Sequence, residues 1–417
     1  MFTSFSTALS ALAADSTAID VVGNNLANLN TVGYKTSAVS FHDLVTQSMG
    51  ANLGNTQVGF GVGTPLTERQ FTQGAIQTTG GTLDAAIQGL GFFVVQGAND
   101  TTEYTRAGNF QTDENGNLTT ATGELVQGWT QVVNGQLDTN VAPGNITIPT
   151  GTVQPPVPTQ NISFSLNLDA AGISGGTNGT FATSVTVYDS LGTSHIVTAT
   201  FTKDPTTPNQ WDYSVAIPDA DMQNPPFTPL TGSLTFNSDG SLSSTTPTPA
   251  PLVISGLADN AADMSIQWNL YTGTTPDVTQ YAQPSSTSAV TQDGSPAAQL
   301  VQVGVGNGGQ ILAQYSNGDQ TVVGQIAMAT VRNPDSLVAV GSNNYELSAS
   351  SALPAIGVPG TGGRGTVQGG ALESSTTDIA TEFTNLIIFQ RGYEANSKVI
   401  TTVDQLSQDT INLIANT

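Results

Sequence analysis

Residues 375–415 read STTDIATEFTNLIIFQRGYEANSKVITTVDQLSQDTINLIA and contain no proline. Apolar residues recur here at seven-residue spacing, with further positions on the adjacent stripe: Ile379, Phe383, Leu386, Tyr393, Ile400, Val403 and Leu406. A seven-residue apolar period favours left-handed packing against a partner helix. The stretch therefore predicts a coiled-coil-like helix of about 40 residues, roughly 60 Å long.

The opposite end of the chain carries a matching pattern. Phe5, Leu12, Ile19 and Leu26 also recur every seven residues, and an Asn-rich run followed by Gly33 provides the signals that end a helix. Isolated helices are marginal without tertiary packing. We therefore expect both ends to form a helical core domain whose apolar stripes are covered only when several copies assemble.

Helical periodicity nearly vanishes between these ends. Strand-length apolar runs take its place, at residues 91–96, 163–168, 184–188, 196–202, 210–217 and 324–331. Turn sequences such as Glu114-Asn115-Gly116-Asn117 separate them. Charged residues make up only 9% of the chain, against a usual share of about 25%. The predicted class is mixed but mainly β, with coiled-coil-like helices from both termini and two nested β-domains.

Proline-rich stretches suggest how the domains are nested. Residues 149–158 and 276–284 are predicted connectors that bracket an inserted outer β-domain, residues 150–284. The remaining predicted parts are a terminal helical domain (1–34 and 370–417), linkers (35–70 and 359–369) and an inner β-domain (71–149 and 285–358). The first linker is expected to contain a short helix and then an extended segment. In the second linker Gly360, Gly362, Gly363 and Gly365 are predicted to act as a hinge.

Charge and cysteine content exclude several classes of protein. The chain has 8 Lys and Arg against 31 Asp and Glu, a net charge of −23. So few cations argue against nucleic-acid binding and against docking on anionic lipid. The absence of cysteine excludes disulfides and thiolate metal sites. The first basic residue is Lys35 and no apolar run is long enough to span a bilayer, so we expect neither a cleavable Sec signal nor membrane insertion.

Three short motifs resemble known sites but lack the required context. Gly172–Gly176 has the spelling of a nucleophile elbow, Gly360–Gly365 that of a dinucleotide fingerprint, and Asp113–Asn117 part of a calcium loop. The first two lack the strand and helix that should flank them, and the third lacks its distal Glu. We interpret all three as turns or hinges. No catalytic residue, cofactor or metal site is predicted, so the chain is expected not to be an enzyme.

Longer motifs resemble one known family. The run Asn24-Asn25-Leu26-Ala27-Asn28-Leu29-Asn30-Thr31-Val32-Gly33-Tyr34-Lys35 is similar to the N-terminal signature of the bacterial flagellar rod and hook proteins. The run Gln390-Arg391-Gly392-Tyr393-Glu394-Ala395-Asn396 resembles the C-terminal partner signature, and residues 83–93 and 104–110 match further motifs. The signature positions are Asn24, Asn25, Asn28, Gly33, Gln390, Arg391 and Asn396. Residues 188–195, with Phe201 and Trp211, resemble the outer domain of the hook members of that family.

The resemblance implies a function and a set of partners. It implies a structural subunit that polymerises into a flexible, hollow, curved tube and transmits torque from rod to filament as a universal joint. The implied partners are further copies of the chain, the distal rod protein, the hook–filament junction proteins, the hook cap protein and the flagellar type III export apparatus. The implied location is extracellular, in the basal body and hook of the flagellum. The stripe residues on both terminal helices would form the assembly interface.

Two other interpretations stay open at this point. The chain could be a distal rod or hook–filament junction protein, which polymer curvature would distinguish from a hook subunit. It could also be a β-rich extracellular adhesin that binds a ligand through its middle domain. An adhesin would tolerate deletion of residues 1–30, whereas a subunit that polymerises through its ends would not.

Overall fold

The computed structural model describes residues 2–44, 46–48, 57–133, 136–149, 151, 153–176, 178–246, 250–273 and 275–415. The chain divides into two compact units. The first unit comprises Met1–Thr150, Gln302–Ala313 and Gln320–Thr417. The second unit comprises Gly151–Val301 and Gln314–Asp319.

A helix lies at each terminus, as the sequence predicts: α1 spans Phe2–Ala27 and α2 spans Ile379–Ala415. The second helix begins four residues later than the expected Ser375. Asp378 caps it, because its Oδ1 accepts a hydrogen bond of 2.8 Å from the backbone N–H of Thr381. The residues before it stay extended, since Thr376 donates its backbone N–H to the carbonyl of Tyr34 at 3.1 Å.

Most of the chain between these helices forms short strands. The strands in the N-terminal part of the first unit are β1 Ser37–Ser40, β2 Thr46–Ser48, β3 Gln57–Gly59, β4 Leu66–Arg69, β5 Ile76–Thr78, β6 Ala85–Gln88, β7 Phe92–Gln96, β8 Thr102–Thr105, β9 Gln111–Thr112, β10 Leu118–Thr119, β11 Leu125–Trp129, β12 Val132–Val133, β13 Gln136–Leu137 and β14 Gly144–Asn145. Those that follow, up to the end of the second unit's main segment, are β15 Val153–Gln154, β16 Asn161–Asp169, β17 Thr180–Tyr188, β18 Ser194–Lys203, β19 Gln210–Ala216, β20 Leu230–Phe236, β21 Leu242–Thr246, β22 Leu252–Ile254, β23 Met264–Asn269, β24 Tyr271–Thr272, β25 Thr275–Pro276, β26 Val278–Tyr281, β27 Ser286–Gln292 and β28 Ala298–Val305. The last strands are β29 Gln310–Tyr315, β30 Gln320–Ile326, β31 Met328–Thr330, β32 Val338–Gly341, β33 Asn344–Glu346, β34 Ala355–Gly357, β35 Thr366–Gly369 and β36 Ala371–Glu373.

The first unit is built on an antiparallel sheet in which β30, β11, β7, β8, β33 and β32 are successive neighbours. Large side chains of these strands form its core, including Phe92, Tyr104, Trp129 and Tyr345. Two further pairs, β35 with β6 and β36 with β5, bring the segment before α2 onto the N-terminal part of the chain. The two ends of the sequence are thereby joined within one unit.

The expected short helix after residue 35 is wrong for the described residues. Strand β1 pairs with β4, and β2 pairs with β3, so this segment is β-structure. The side-chain oxygen of Asn25 accepts the backbone N–H of Ser37 at 3.0 Å, which holds the start of β1 extended against the end of α1. This contact joins residues 12 positions apart and outweighs the local preference for a helix.

The second unit contains two five-stranded sheets around one apolar core. One sheet has the antiparallel order β17-β18-β19-β20-β21, and the other the order β22-β23-β16-β26 with β27 also paired to β16. Both contribute to a buried cluster that includes Phe164, Phe201, Trp211 and Trp268. The inserted domain expected from the sequence ends at residue 284, whereas this unit continues to Val301, because β27 pairs with β16.

Among the described residues, neither α1 nor α2 is apolar enough over a sufficient length to cross a membrane.

Adjacent residues of β22 provide a test of the second unit's core. Ile254 is fully buried whereas its neighbour Val253 is 59% exposed. We expect Ile254→Ala to lower the free energy of unfolding by about 2–5 kcal/mol through lost burial and a residual cavity. Val253→Ala is the matched control and should change it by less than about 0.5 kcal/mol. Urea denaturation resolved by hydrogen-exchange mass spectrometry measures both, and equal effects would contradict the assigned register.

Candidate functional site

The two terminal helices pack along each other through small and polar residues. The buried face of α1 includes Ala8, Ala14, Ala18 and Val22. Beside it Asp15 accepts a hydrogen bond of 3.0 Å from the side-chain amide of Asn396 on α2. A Cβ atom placed on Gly392 would lie 3.0 Å from the Asp15 carboxylate, so the small residue permits this close approach. The contact between the helices within one subunit thus uses little large apolar surface.

Several large apolar side chains of the two helices stay exposed to solvent. Five predicted interface residues are between 40% and 54% exposed: Phe5, Ile379, Phe383, Tyr393 and Leu406. The other six are half-buried: Leu12, Ile19, Leu26, Leu386, Ile400 and Val403. Isolated exposed apolar residues are ordinary, but a series of them along two helices is a candidate interaction surface.

Sequence reasoning missed part of this surface. Ile387, Ile388 and Val399 are also exposed on α2. The signal was present in the run Leu386–Phe389, which is apolar on every side of the helix. A helix that is apolar all round is one that is buried on all sides in its final environment.

The Asn-rich signature ties the end of α1 to the start of α2. Asn25 is 1% exposed and donates from its side chain to the backbone carbonyl of Ser37 at 2.9 Å and to Oε1 of Glu382 at 3.1 Å. Tyr34 donates its hydroxyl to Asn25 at 3.2 Å. Burial raises the pKa of Glu382, although the Asn25 hydrogen bond opposes the shift. Replacing Asn25 would therefore leave several buried polar groups without partners.

Two further signature asparagines close the same helix end. Asn28 donates from its side chain to the backbone carbonyl of Asn24 at 2.9 Å and accepts a hydrogen bond from the Thr31 hydroxyl at 3.0 Å. Asn24 donates to the Tyr34 hydroxyl at 3.2 Å. The Asn24 carbonyl also accepts the backbone N–H of Asn28 at 3.2 Å, so the side-chain bonds reinforce the last turn of the helix.

A buried charge network lies beside this junction, and we call Lys35, Arg106 and Glu373 the Glu373 network. Lys35 Nζ is 2.6 Å from Glu373 Oε1, and an Arg106 guanidinium nitrogen is 3.1 Å from Glu373 Oε2. All three side chains are at most 3% exposed. Gln73 and the backbone N–H of Gly74 also donate to Oε1, at 3.1 and 2.7 Å. The carboxylate therefore receives four donors, which matches its acceptor capacity.

Both cations of the network have further contacts. Lys35 also donates to the carbonyl of Thr72 at 2.6 Å, and Arg106 to the carbonyl of Gly89 at 2.8 Å. The guanidinium carbon of Arg106 lies 5.4 Å from the centre of the Phe92 ring. Burial lowers the pKa of the Lys35 ammonium, although its hydrogen bond to Glu373 acts in the opposite direction. The sequence offered only a weak signal for this network, since the residues are scattered among separate motifs.

Gly33 is required by the same junction. Its φ angle is +67°, and a Cβ atom there would lie 2.6 Å from the backbone carbonyl of Arg106. Its N–H donates to the backbone carbonyl of Glu373 at 2.7 Å. A side chain at this position would push the N-terminal segment away from the network.

The remaining signature and hinge residues are placed differently. Gln390 and Arg391 are exposed on α2, away from the asparagine junction. Gly360, Gly362, Gly363 and Gly365 lie in a turn before β35, and the first three have positive φ angles. This turn is closed by a hydrogen bond of 2.8 Å from the Gly360 N–H to the Gly365 carbonyl. Its hinge role stays a prediction.

One cluster in the second unit was not expected from the sequence. Asp189, His195 and Asp259 have side-chain nitrogen and oxygen atoms within 4.8 Å of one another, although their spacing along the chain gives no metal-ligand motif. Asp221 lies on the other side of the imidazole, with its Oδ2 3.0 Å from Nδ1. The loops that carry them are adjacent only in the folded unit.

Comparisons with known proteins place these features in a family. Family models match four parts of the chain: flagella basal body rod protein (residues 5–35), flagellar hook protein FlgE/F/G D1 domain (86–180), flagellar basal body protein FlaE D2 domain (167–295) and flagellar basal body rod FlgEFG protein C-terminal (368–413). These ranges include the helical stripes, the asparagine junction, Arg106 and Glu373.

Whole proteins match as well. The chain is 35% identical to flagellar hook protein FlgE of Borreliella burgdorferi, over 99% of this chain and 100% of that protein. It is 31% identical to flagellar hook protein FlgE of Salmonella typhimurium, over 98% and 100%. The crystal structure of flagellar hook protein FlgE2 of Helicobacter pylori covers 72% of this chain and 100% of its own, with a TM-score of 0.52 and 16% identity. The last likeness shows a shared fold.

The Glu373 network gives a stability prediction. Glu373→Gln removes the only carboxylate within 4.0 Å of Lys35 and Arg106 among the described residues. Breaking a buried pair in this way costs about 3–5 kcal/mol, because the cations stay buried without compensation. Urea denaturation with hydrogen-exchange mass spectrometry should show this loss in the first unit.

Glu68→Gln on β4 is the matched control for that substitution, since Glu68 is exposed. It should change the free energy of unfolding by less than about 0.5 kcal/mol. A Glu373→Gln variant as stable as the Glu68→Gln variant would contradict the role given to the network.

Proposed function

Since this chain belongs to the flagellar hook protein FlgE family, we propose that its copies form a curved, hollow tube that transmits torque as a universal joint. Membership makes the chain a structural subunit of the flagellar hook and not an enzyme. It also implies self-polymerisation and association with the rod. The tube, its flexibility and its mechanical role are the proposal.

The observation that carries the proposal is the division of apolar surface on the terminal helices. Within one subunit the helices meet through alanines, Gly392 and a polar Asp15–Asn396 contact. Large side chains such as Phe383 and Leu406 stay more than half exposed. Other copies of the chain are the natural cover for them, because every copy presents the same two helices.

The energies involved are sufficient for cohesion. Burying a side chain the size of leucine or phenylalanine contributes about 1.5–3 kcal/mol before entropy costs. A contact repeated at every subunit adds along the polymer. We therefore propose that the terminal helical domain, residues 1–34 and 370–417, supplies most of the axial cohesion and resists twisting.

The β-domains are assigned a different mechanical role. Their surfaces are rich in Ser, Thr, Asn and Gln, and such polar contacts gain little net free energy each. Neighbouring subunits could then shift in register at low cost while the polymer bends. We propose that the glycine turn Gly360–Gly365 accommodates these shifts.

The partners beyond the rod follow from the same proposal. A tube between rod and filament requires contacts with the distal rod protein at one end and with junction proteins at the other. Growth at the distal end requires a cap protein. We propose export by the flagellar type III apparatus, without a cleaved Sec signal, to an extracellular position in the hook.

Substitution on α2 tests the assembly interface. Phe383→Asp should raise the concentration needed for polymerisation at least about tenfold, the equivalent of 1.4 kcal/mol, because a carboxylate cannot be buried unpaired between helices. Thr384→Asp, at the next exposed position, is the matched control and should assemble nearly normally. Sedimentation measures the polymer, and circular dichroism confirms that each variant folds. Normal assembly of Phe383→Asp would refute the interface.

Electron microscopy of the purified polymer tests the mechanical proposal separately. We expect curved tubes with a central channel and several coexisting curvatures. Straight, rigid polymers would favour the rod interpretation over the universal joint while leaving the helical interface intact.

A further inference from the structure

Three loops meet around His195 in the second unit. Asp189 belongs to the turn between β17 and β18, and His195 lies near the start of β18. Asp221 ends a 3-10 turn, Asp219–Asp221, and Asp259 lies in the loop between β22 and β23. His195 is 5% exposed and Asp189 is fully buried. The imidazole thus lies inside the loop cluster and not on its surface.

Both ring nitrogens of His195 face carboxylate oxygens. Nδ1 is 3.0 Å from Asp221 Oδ2, and Nε2 is 3.1 Å from Asp189 Oδ2. Nε2 is also 4.0 Å from Asp259 Oδ2. No Lys or Arg side chain lies within 4.0 Å of these three carboxylates in the part of the chain that the structure describes. The imidazole is therefore the cation available to them there.

This geometry specifies the protonation state. A neutral imidazole has one N–H and one lone pair, whereas an ionised carboxylate only accepts hydrogen bonds. A neutral ring would therefore direct a lone pair at one of the two carboxylates. Only the doubly protonated ring donates to both.

We propose that doubly protonated His195 is a clasp that holds the three loops together, and that the clasp opens when the ring loses a proton. The proposal concerns the second unit alone and does not depend on polymerisation. The ligand of the clasp is a proton, and the order of the three loops therefore changes with pH.

The clasp stabilises a set of hydrogen bonds made by the backbone of the loops. Asp189 Oδ1 accepts the N–H groups of Leu191 and Thr193 at 2.8 and 2.9 Å. The backbone carbonyl of Asp221 accepts the N–H of Ala258 at 2.9 Å. With a neutral ring, repulsion among the carboxylates acts on all of these contacts at once.

The direction of the pH dependence follows from two pKa shifts. Burial lowers the pKa of His195, but its hydrogen bonds to Asp221 and Asp189 outweigh this and raise it above the ordinary 6.5. This stabilisation is complete below pH 6.5 and is lost as the pH rises through the folded-state pKa. Burial acts to raise the pKa of Asp189, but its hydrogen bonds lower it from 3.8 to about 2. That contribution is present above pH 3.8 and lost toward pH 2.

A direct test uses the unmodified chain, which contains two histidines, His42 and His195. Nuclear magnetic resonance of histidine-labelled monomer reports the protonation of each ring, and a His42→Gln variant assigns the signals. We expect both nitrogens of His195 to carry protons at pH 6 and the ring to titrate above 6.5. A single neutral tautomer at pH 6, or titration below 6.5, overturns the proposal.

Hydrogen exchange tests the consequence for the loops. After correction for intrinsic rates, exchange at Leu191, Thr193 and Ala258 should quicken by up to about tenfold for each pH unit between pH 6.5 and the folded-state pKa, and it should level off above that pKa. His195→Gln should show the open-state exchange already at pH 6, whereas Asp212→Asn, an exposed site in the same unit, should not. Equal exchange rates in the unmodified chain and in the His195→Gln variant at every pH would contradict the clasp.

A metal ion is the competing occupant, since Nε2 and two carboxylate oxygens lie close enough to bind one. Titration of the monomer with Zn²⁺ at pH 6 distinguishes the two. The clasp predicts that the Nε2 proton persists and the melting temperature stays constant. Loss of that proton with a rise in melting temperature would identify a metal site and refute the clasp.

Discussion

Two buried cations, Lys35 and Arg106, share the carboxylate of Glu373 in the first unit. Their sequence separations from Glu373 are 338 and 267 residues. The network therefore forms only when the N-terminal segment, the β-sheet and the segment before α2 come together. Burying three charges is costly, and the ion pairs and hydrogen bonds to Glu373 offset that cost. This requirement fixes where both terminal helices leave the β-structure, and so it sets the direction in which their apolar faces are presented.

The junction also explains how polar contacts can align the two helices while several of their large side chains stay exposed. Asn25 and Glu382 hold the end of α1 against the start of α2, and Asp15 with Asn396 repeats a polar contact farther along. Polar contacts are directional, so they set the register of the pair. The apolar residues on the other faces contribute little to the isolated subunit. The two helices can thus be aligned within one subunit while large apolar side chains such as Phe383 and Leu406 stay exposed.

Much of this fold could be predicted from sequence because it rests on periodicity. The seven-residue spacing located both helices, and the runs now seen in β7, β16, β17, β18 and β19 were identified as strands. Three features could not be predicted from this periodicity. The stripe did not reveal that Ala14 and Ala18, not Leu12 and Ile19, form the most buried face of α1. β1 depends on a contact with Asn25, 12 residues away. The Glu373 and His195 clusters join residues that only the topology brings together.

The scarcity of positive charge links these features to assembly. Two of the 8 basic residues, Lys35 and Arg106, are buried in the Glu373 network. The guanidinium of Arg69 lies over the rings of Tyr34 and Tyr345. The surface left to other copies is therefore strongly acidic, in keeping with the net charge of −23. Like-charged subunits repel at distances up to the Debye length, about 10 Å at 0.1 M salt. Repulsion of this range favours dispersed monomers and lets copies join only where apolar contact is extensive and close. In the proposed assembly the terminal helices offer such contact, whereas the polar β surfaces would add little attraction and so leave neighbours free to shift.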